Sequence, residues 1–200
     1  MILVGGRQRL AAGGHFVPGT KLERLAPILR RLAESQRTLL RNADAIPSEQ
    51  WKTAPAEGAW SAGELAVHLI MVERQVLGAA DRITQKHPRK LPIWKKLRLP
   101  PTLVATRFVR VKSPLAVDWQ LVKAKEEALG EVREMRERTL AFLDETKERD
   151  LSAYRWRHPL LGWLDTYDWF AFLAAHETRH GKQMKEISKR LPKSVESLQK

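Results

Sequence analysis

Four stretches of this chain repeat apolar residues at intervals of three and four, and that spacing limits the fold more than any other feature. The first runs from about Leu22 to Ala43, with Leu22, Leu25, Leu29, Leu32, Leu39 and Ala43 on one face. Pro27 predicts that its first turn starts late or is kinked. The second opens at Ser61, which forms a capping box with Glu64, each side chain satisfying a free backbone N–H. It continues through Leu65, His68, Leu69, Val72, Val76 and Ala79. The third runs from about Trp119 to Thr146, with the stripe Leu121, Ala124, Ala128, Val132, Met135, Thr139 and Phe142. The fourth begins near Asp165, a good N-cap, with Asp168 placed well for the helix dipole. Its stripe is Trp169, Phe172, Leu173, His176, His180, Gln183, Met184 and Ile187. Strand-period alternation survives only from Leu103 to Val111, too isolated to build a sheet. The predicted class is all-α, a four-helix bundle.

The 200 residues, 43% of them hydrophobic, suit one domain with a real core, and no run approaches the roughly 18 apolar residues of a bilayer span. The bundle is expected over 21–191, between a poorly ordered tail at 1–20 and a C-terminal tail at 192–200. The first tail does not read as a signal peptide, because Gly5, Gly6, Arg7, Gln8 and Arg9 break its apolar stretch. The segment from Lys86 to Val117 holds five prolines and is long enough to run back along a whole helix. Such a crossover makes the second and third helices parallel, an up-down-down-up bundle. Charge is concentrated in the same region. Ten basic residues and no acid lie between Arg82 and Lys112, which leaves +3 for the remainder of a chain whose net charge is +13.

The absence of cysteine excludes disulfides, thiolate metal sites and a cysteine nucleophile, and suits a reducing cytoplasm. A metal would have to be held by His, Asp or Glu. His176 and His180 are four apart inside an apolar helical stripe, and His68 sits among Leu65, Leu69 and Val72. One inward histidine is usually a core residue satisfied by a neighbour. Three converging in one core would leave unmatched donors or acceptors at about 1–3 kcal/mol each, and a divalent cation matches all three. Helical rise puts His68 about 9 Å inside the start of its helix and His180 about 15 Å inside the end of its own. An overhang of one turn brings them level, near the loop with Trp51 and Trp60. On this geometry His158, in the connection before the fourth helix, falls at the opposite end and reads as a loop or capping histidine. His176-Glu177-Thr178-Arg179-His180 also matches H-E-x-x-H. A metalloprotease reading is weakened by the lack of a later histidine ligand, the short remaining chain, and the absence of a strand to align a peptide.

Trp60-Ser61-Ala62-Gly63-Glu64-Leu65-Ala66-Val67-His68 resembles the second-helix signature of the DinB/YfiT-like superfamily. His158-Pro159-Leu160-Leu161-Gly162, leading to His176-Glu177-Thr178-Arg179-His180-Gly181-Lys182-Gln183, resembles its C-terminal signature. The resemblance extends over about Leu22 to Leu191. It implies an up-down-down-up bundle with zinc or nickel held by three histidines, which carry over to His68, His176 and His180. Members include thiol-dependent S-transferases and a maleylpyruvate isomerase, others are known only as metal-dependent hydrolases, and dimers are common.

Two functions are therefore expected. One is a metal-dependent enzyme acting on a small electrophilic substrate, by hydrolysis or by transfer of a low-molecular-weight thiol to it. Glu177 would serve proton transfer, and Gln183 would orient a ligand or an imidazole. The other is a non-catalytic bundle whose basic 82–112 segment meets an anionic membrane or nucleic acid.

Overall fold

The computed structural model describes residues 21–88, 99–105 and 118–192. The two tails (1–20 and 193–200), most of the basic segment and most of the alternating Leu103–Val111 stretch lie outside the described residues. Within them the order is helix α1 (Lys21–Asp44), α2 (Ala62–Thr84), α3 (Lys125–Glu145), strands β1 (Arg155–His158) and β2 (Gly162–Asp165), and α4 (Thr166–Arg190). Short 3-10 turns occupy Ser48–Gln50, Pro101–Ala105, Trp119–Leu121 and Leu151–Ala153. No helix among the described residues is long and apolar enough to cross a membrane.

The helix starts follow their caps. Ser61 Oγ accepts from the Glu64 N–H while Glu64 accepts from the Ser61 N–H at 2.8 Å. At α4 the same reciprocity joins Asp165 and Asp168, at 3.0 and 3.1 Å. Two expectations give way. The helix α1 begins at Lys21 and carries Pro27 in its interior, so its first turn does not start late. The third helix starts at Lys125, and Trp119–Leu121 is a separate turn in which Leu121, assigned above to the apolar stripe, is 53% exposed. Ala124 is likewise exposed, as the N-cap of α3.

Paired contacts fix the topology. Arg24 meets Asp165 and Asn42 meets the Gly181 carbonyl, so α1 and α4 run parallel. Arg136 reaches the Leu32 carbonyl and Lys125 the Ile46 carbonyl, so α1 and α3 are antiparallel. Gly63 packs near Val122 at one end, and Arg149, just beyond α3, donates to the Thr84 carbonyl at the other, so α2 and α3 are parallel. The arrangement is up-down-down-up. Gly63 is required by this approach, because a Cβ there would lie 2.3 Å from Val122 Cγ1 and 3.1 Å from Trp51 Nε1.

The bundle is not wholly helical. Antiparallel β1 and β2 pair Arg155 with Asp165 and His158 with Gly162, and the turn uses Gly162 at φ +86°. Each strand is only four residues long, too short to show a period, and the hairpin forms because one face packs on α4: the Trp156 and Trp169 rings stack at 4.9 Å. The interior divides into two apolar clusters. One includes Leu25, Leu32, Val76, Leu143 and Phe170; the other includes Leu39, Trp51, Leu65, Val132 and Met184. Along α1, α3 and α4 the stretch between the two clusters carries, beside Met135 and Ala175, the polar residues Ser35, Arg136, Thr139, His176, Glu177 and His180. The functional residues sit in this layer.

Candidate metal centre

His68 enters the polar layer from α2, and His176 and His180 enter one turn apart from α4, which runs antiparallel to α2. The His176 Nε2 lies 3.2 Å from His68 Nε2 and 3.1 Å from His180 Nε2. His68 and His180 are 4% and 8% exposed, while His176 is half-buried, so the cluster opens on the His176 side. The Trp60 ring covers His68 at 5.0 Å, in the neighbourhood of the loop that the sequence predicts.

The donor set fits a cation better than it fits itself. A neutral imidazole nitrogen offers one N–H or one lone pair, so His176 Nε2 can form a good hydrogen bond with only one of the two nitrogens facing it. His68 Nδ1 is buried with no partner among the described residues, so the contact that ring makes is through the Nε2 facing the cluster. Two imidazole nitrogens bound to one zinc at 2.0–2.1 Å in tetrahedral geometry stand about 3.3 Å apart. The separations seen here are close to that. His180 Nδ1 lies 3.0 Å from Gln183 Oε1, an acceptor, which assigns the proton to Nδ1 and leaves the Nε2 lone pair turned toward the cluster.

Burial also keeps two of the rings, His68 and His176, neutral. It lowers the His68 pKa to about 4. Burial, followed by repulsion from His180 and His68, pushes His176 well below its ordinary value. Three uncharged nitrogens are what a metal ion needs as ligands. The three histidines could hold a divalent metal.

Of the residues singled out in the sequence, these three and Gln183 come together. Glu177 goes elsewhere: its carboxylate is 3% exposed, accepts from Ser35 Oγ, and pairs with Arg136 at 3.1 Å. Arg136, itself 2% exposed, also holds Glu73 at 2.8 and 3.1 Å and donates to the Leu32 carbonyl at 2.6 Å. Burial raises the Glu177 pKa despite the pull of Arg136 and Ser35. For Arg136, burial acts downward, but Glu177 and Glu73 outweigh it and the guanidinium stays charged.

This network is absent from the sequence reading. Its signal is register: Glu73, Arg136 and Glu177 each follow a buried apolar residue (Leu69, Val132, Leu173) by four positions, with two acids and one base among them. His158 also needs correction. It is not remote from the site. The hairpin folds back over α4 and sets its ring 4.6 Å from Phe172, which in turn lies 5.3 Å from His176. Its capping role does appear, since Nδ1 accepts from the Leu160 and Leu161 N–H groups at 3.1 and 3.2 Å.

The family model described as DinB superfamily matches residues 31–184, a span that includes all three histidines. No curated protein and no solved structure matches the chain. With that span covering most of its length and the bundle and histidine cluster in place, the chain belongs to the DinB superfamily.

Proposed function

We propose that this DinB-superfamily chain is a metal-dependent enzyme acting on a small electrophilic substrate, by hydrolysis or by transfer of a low-molecular-weight thiol. The observation that carries the reading is the convergence of three imidazoles, His176 Nε2 lying 3.1 and 3.2 Å from the Nε2 atoms of His180 and His68. His68, His176 and His180 would hold the ion, with zinc or nickel suited to an all-imidazole set. When bound, such an ion supplies Lewis acidity that makes a water or a thiol ionise near neutral pH.

The remaining residues position and enclose. Gln183 fixes the His180 ring through its Nδ1–H. Trp60 and Phe172 flank the cluster and limit its water. Glu177, next to His176 in sequence, ties α4 to α1 through Ser35 and to α3 through Arg136, holding the ligand helix in place. That engagement disfavours Glu177 as the freely presented general base of an H-E-x-x-H protease.

The test is metal analysis of protein purified without an affinity tag. About one equivalent of divalent metal is expected in the wild type and far less in His176→Ala; stoichiometric metal in the variant would end the reading. A screen of thiol–electrophile pairs and activated esters, run with and without chelator, then separates transfer from hydrolysis.

A further inference from the structure

The histidine at the end of β1 carries more than its turn requires. A cap for the Leu160 and Leu161 N–H groups needs one acceptor, which an Asn or Asp side chain supplies. The imidazole adds a second nitrogen. With two N–H donors aimed at Nδ1, at 3.1 and 3.2 Å, no proton fits there, and the neutral ring carries its hydrogen on Nε2. The buried side-chain polar atoms lacking a partner are Trp51 Nε1, His68 Nδ1 and Thr139 Oγ1. His158 Nε2 is not among them, and among the described residues it bonds to nothing; it therefore keeps access to solvent although the residue is 7% exposed.

The ring stands on the same wall as the metal centre. It lies 5.0 Å from Trp169 and 4.6 Å, edge to face, from Phe172. Trp169, Phe172, His176 and His180 follow one another at three- and four-residue intervals on one face of α4. Phe172 is the bridge, 5.3 Å from the His176 ring, so the sum of two ring-to-ring steps bounds the distance from His158 to the most exposed of the three ligands. Burial lowers the His158 pKa, in keeping with a ring that stays neutral.

We propose that His158 Nε2–H is a fixed hydrogen-bond donor for a carbonyl or carboxylate oxygen of the substrate, whose reacting end lies at the three-histidine centre. The donor is pre-aimed: Nδ1 is locked by the turn, and the ring is wedged against Trp169 and Phe172, so little ordering is needed on binding. It makes the site select small molecules with two polar ends separated by an apolar stretch. The inference rests on the triad holding a metal, as proposed above.

The test uses the cobalt(II)-loaded full chain and two probes read by the visible absorption of the ion. 3-Mercaptopropionate offers a thiol to the metal and a carboxylate to His158; ethanethiol offers the thiol alone. His158→Asn keeps an acceptor for the turn and removes the Nε2 donor. The variant is expected to bind cobalt as the wild type does, to bind ethanethiol equally well, and to lose about tenfold in affinity for 3-mercaptopropionate, the worth of one hydrogen bond. Equal affinities for 3-mercaptopropionate, or equal losses for both probes, would overturn the proposal. Failure of the wild type to take up cobalt would instead overturn the metal reading on which it depends. Nitrogen-15 NMR of the wild-type imidazoles gives a check that needs no variant: His158 is expected as the Nε2–H tautomer, and a proton on Nδ1 would refute the assignment.

Discussion

Replacing Arg136 with Met would remove the cation that pairs with both Glu73 and Glu177. Both carboxylates stay buried, at 7% and 3% exposure, and Arg136 makes three of its bonds to them, at 2.8, 3.1 and 3.1 Å. Taking away one partner of a buried charge group leaves uncompensated charge and costs about 3–5 kcal/mol. For a domain of this size that corresponds to a fall in midpoint of about 6–20 °C. Urea unfolding of metal-free protein, followed by circular dichroism, measures it. The pH dependence supplies a sharper signature. Glu177 already has a raised pKa from burial, and without Arg136 it rises further. A carboxyl whose folded pKa exceeds its unfolded value favours folding at low pH and loses that contribution as pH rises, so the deficit of Arg136→Met should grow from pH 5 to pH 8. The triple variant Glu73→Leu, Arg136→Met, Glu177→Met, which removes all three charges, should recover most of the loss. A single variant within 1 kcal/mol of wild type, or a triple variant worse than the single, would show that the network does not hold the polar layer together.

Gln183→Leu should weaken metal affinity about 10–100-fold while leaving the fold intact, as titration with a competing chelator would show; unchanged affinity would remove the orienting role. Gly63→Ala should lower stability by about 1–3 kcal/mol, since Val122 Cγ1 occupies the space its methyl would need, and a neutral thermal shift would refute that packing. Metal-free protein should lose stability on acidification. His68 has its pKa depressed from 6.5 to about 4, so its contribution is present above pH 6.5 and is lost progressively as pH falls toward 4. The loss amounts to about 3 kcal/mol, and His68→Phe should make the profile shallower in that window, leaving the part due to His176.

Periodicity and capping exposed most of the architecture before any coordinates. Each helix buries a long stripe, so Leu25 through Ala43 or Leu65 through Val76 announce themselves by repetition, although the second stripe ends at Ala80 and not at Ala79. The caps at Ser61 and Asp165 were visible because a cap is a local event among four residues. The long proline-rich connection implied parallel neighbours through chain length alone. The histidine cluster was legible for the same reason, its members falling at apolar positions of stripes already found. What escaped notice depends on distant partners. Leu121 looked like stripe because it is apolar and in register, yet the helix begins only at Lys125. The hairpin strands are short, and Trp156 gains its place from Trp169 rather than from its neighbours in sequence. Arg136 reads as one more surface charge until two acids from other helices are brought against it.

The polar contact between His68 and His176 joins points 108 residues apart, and the whole crossover lies inside the loop it closes. A loop that long is entropically forgiving: doubling its length adds only about 0.6 kcal/mol to the cost of closure. Length is therefore cheap in that connection, but its Pro101–Ala105 turn is tied to the bundle, with Val104 packed on the cluster that includes Phe170 and Phe172.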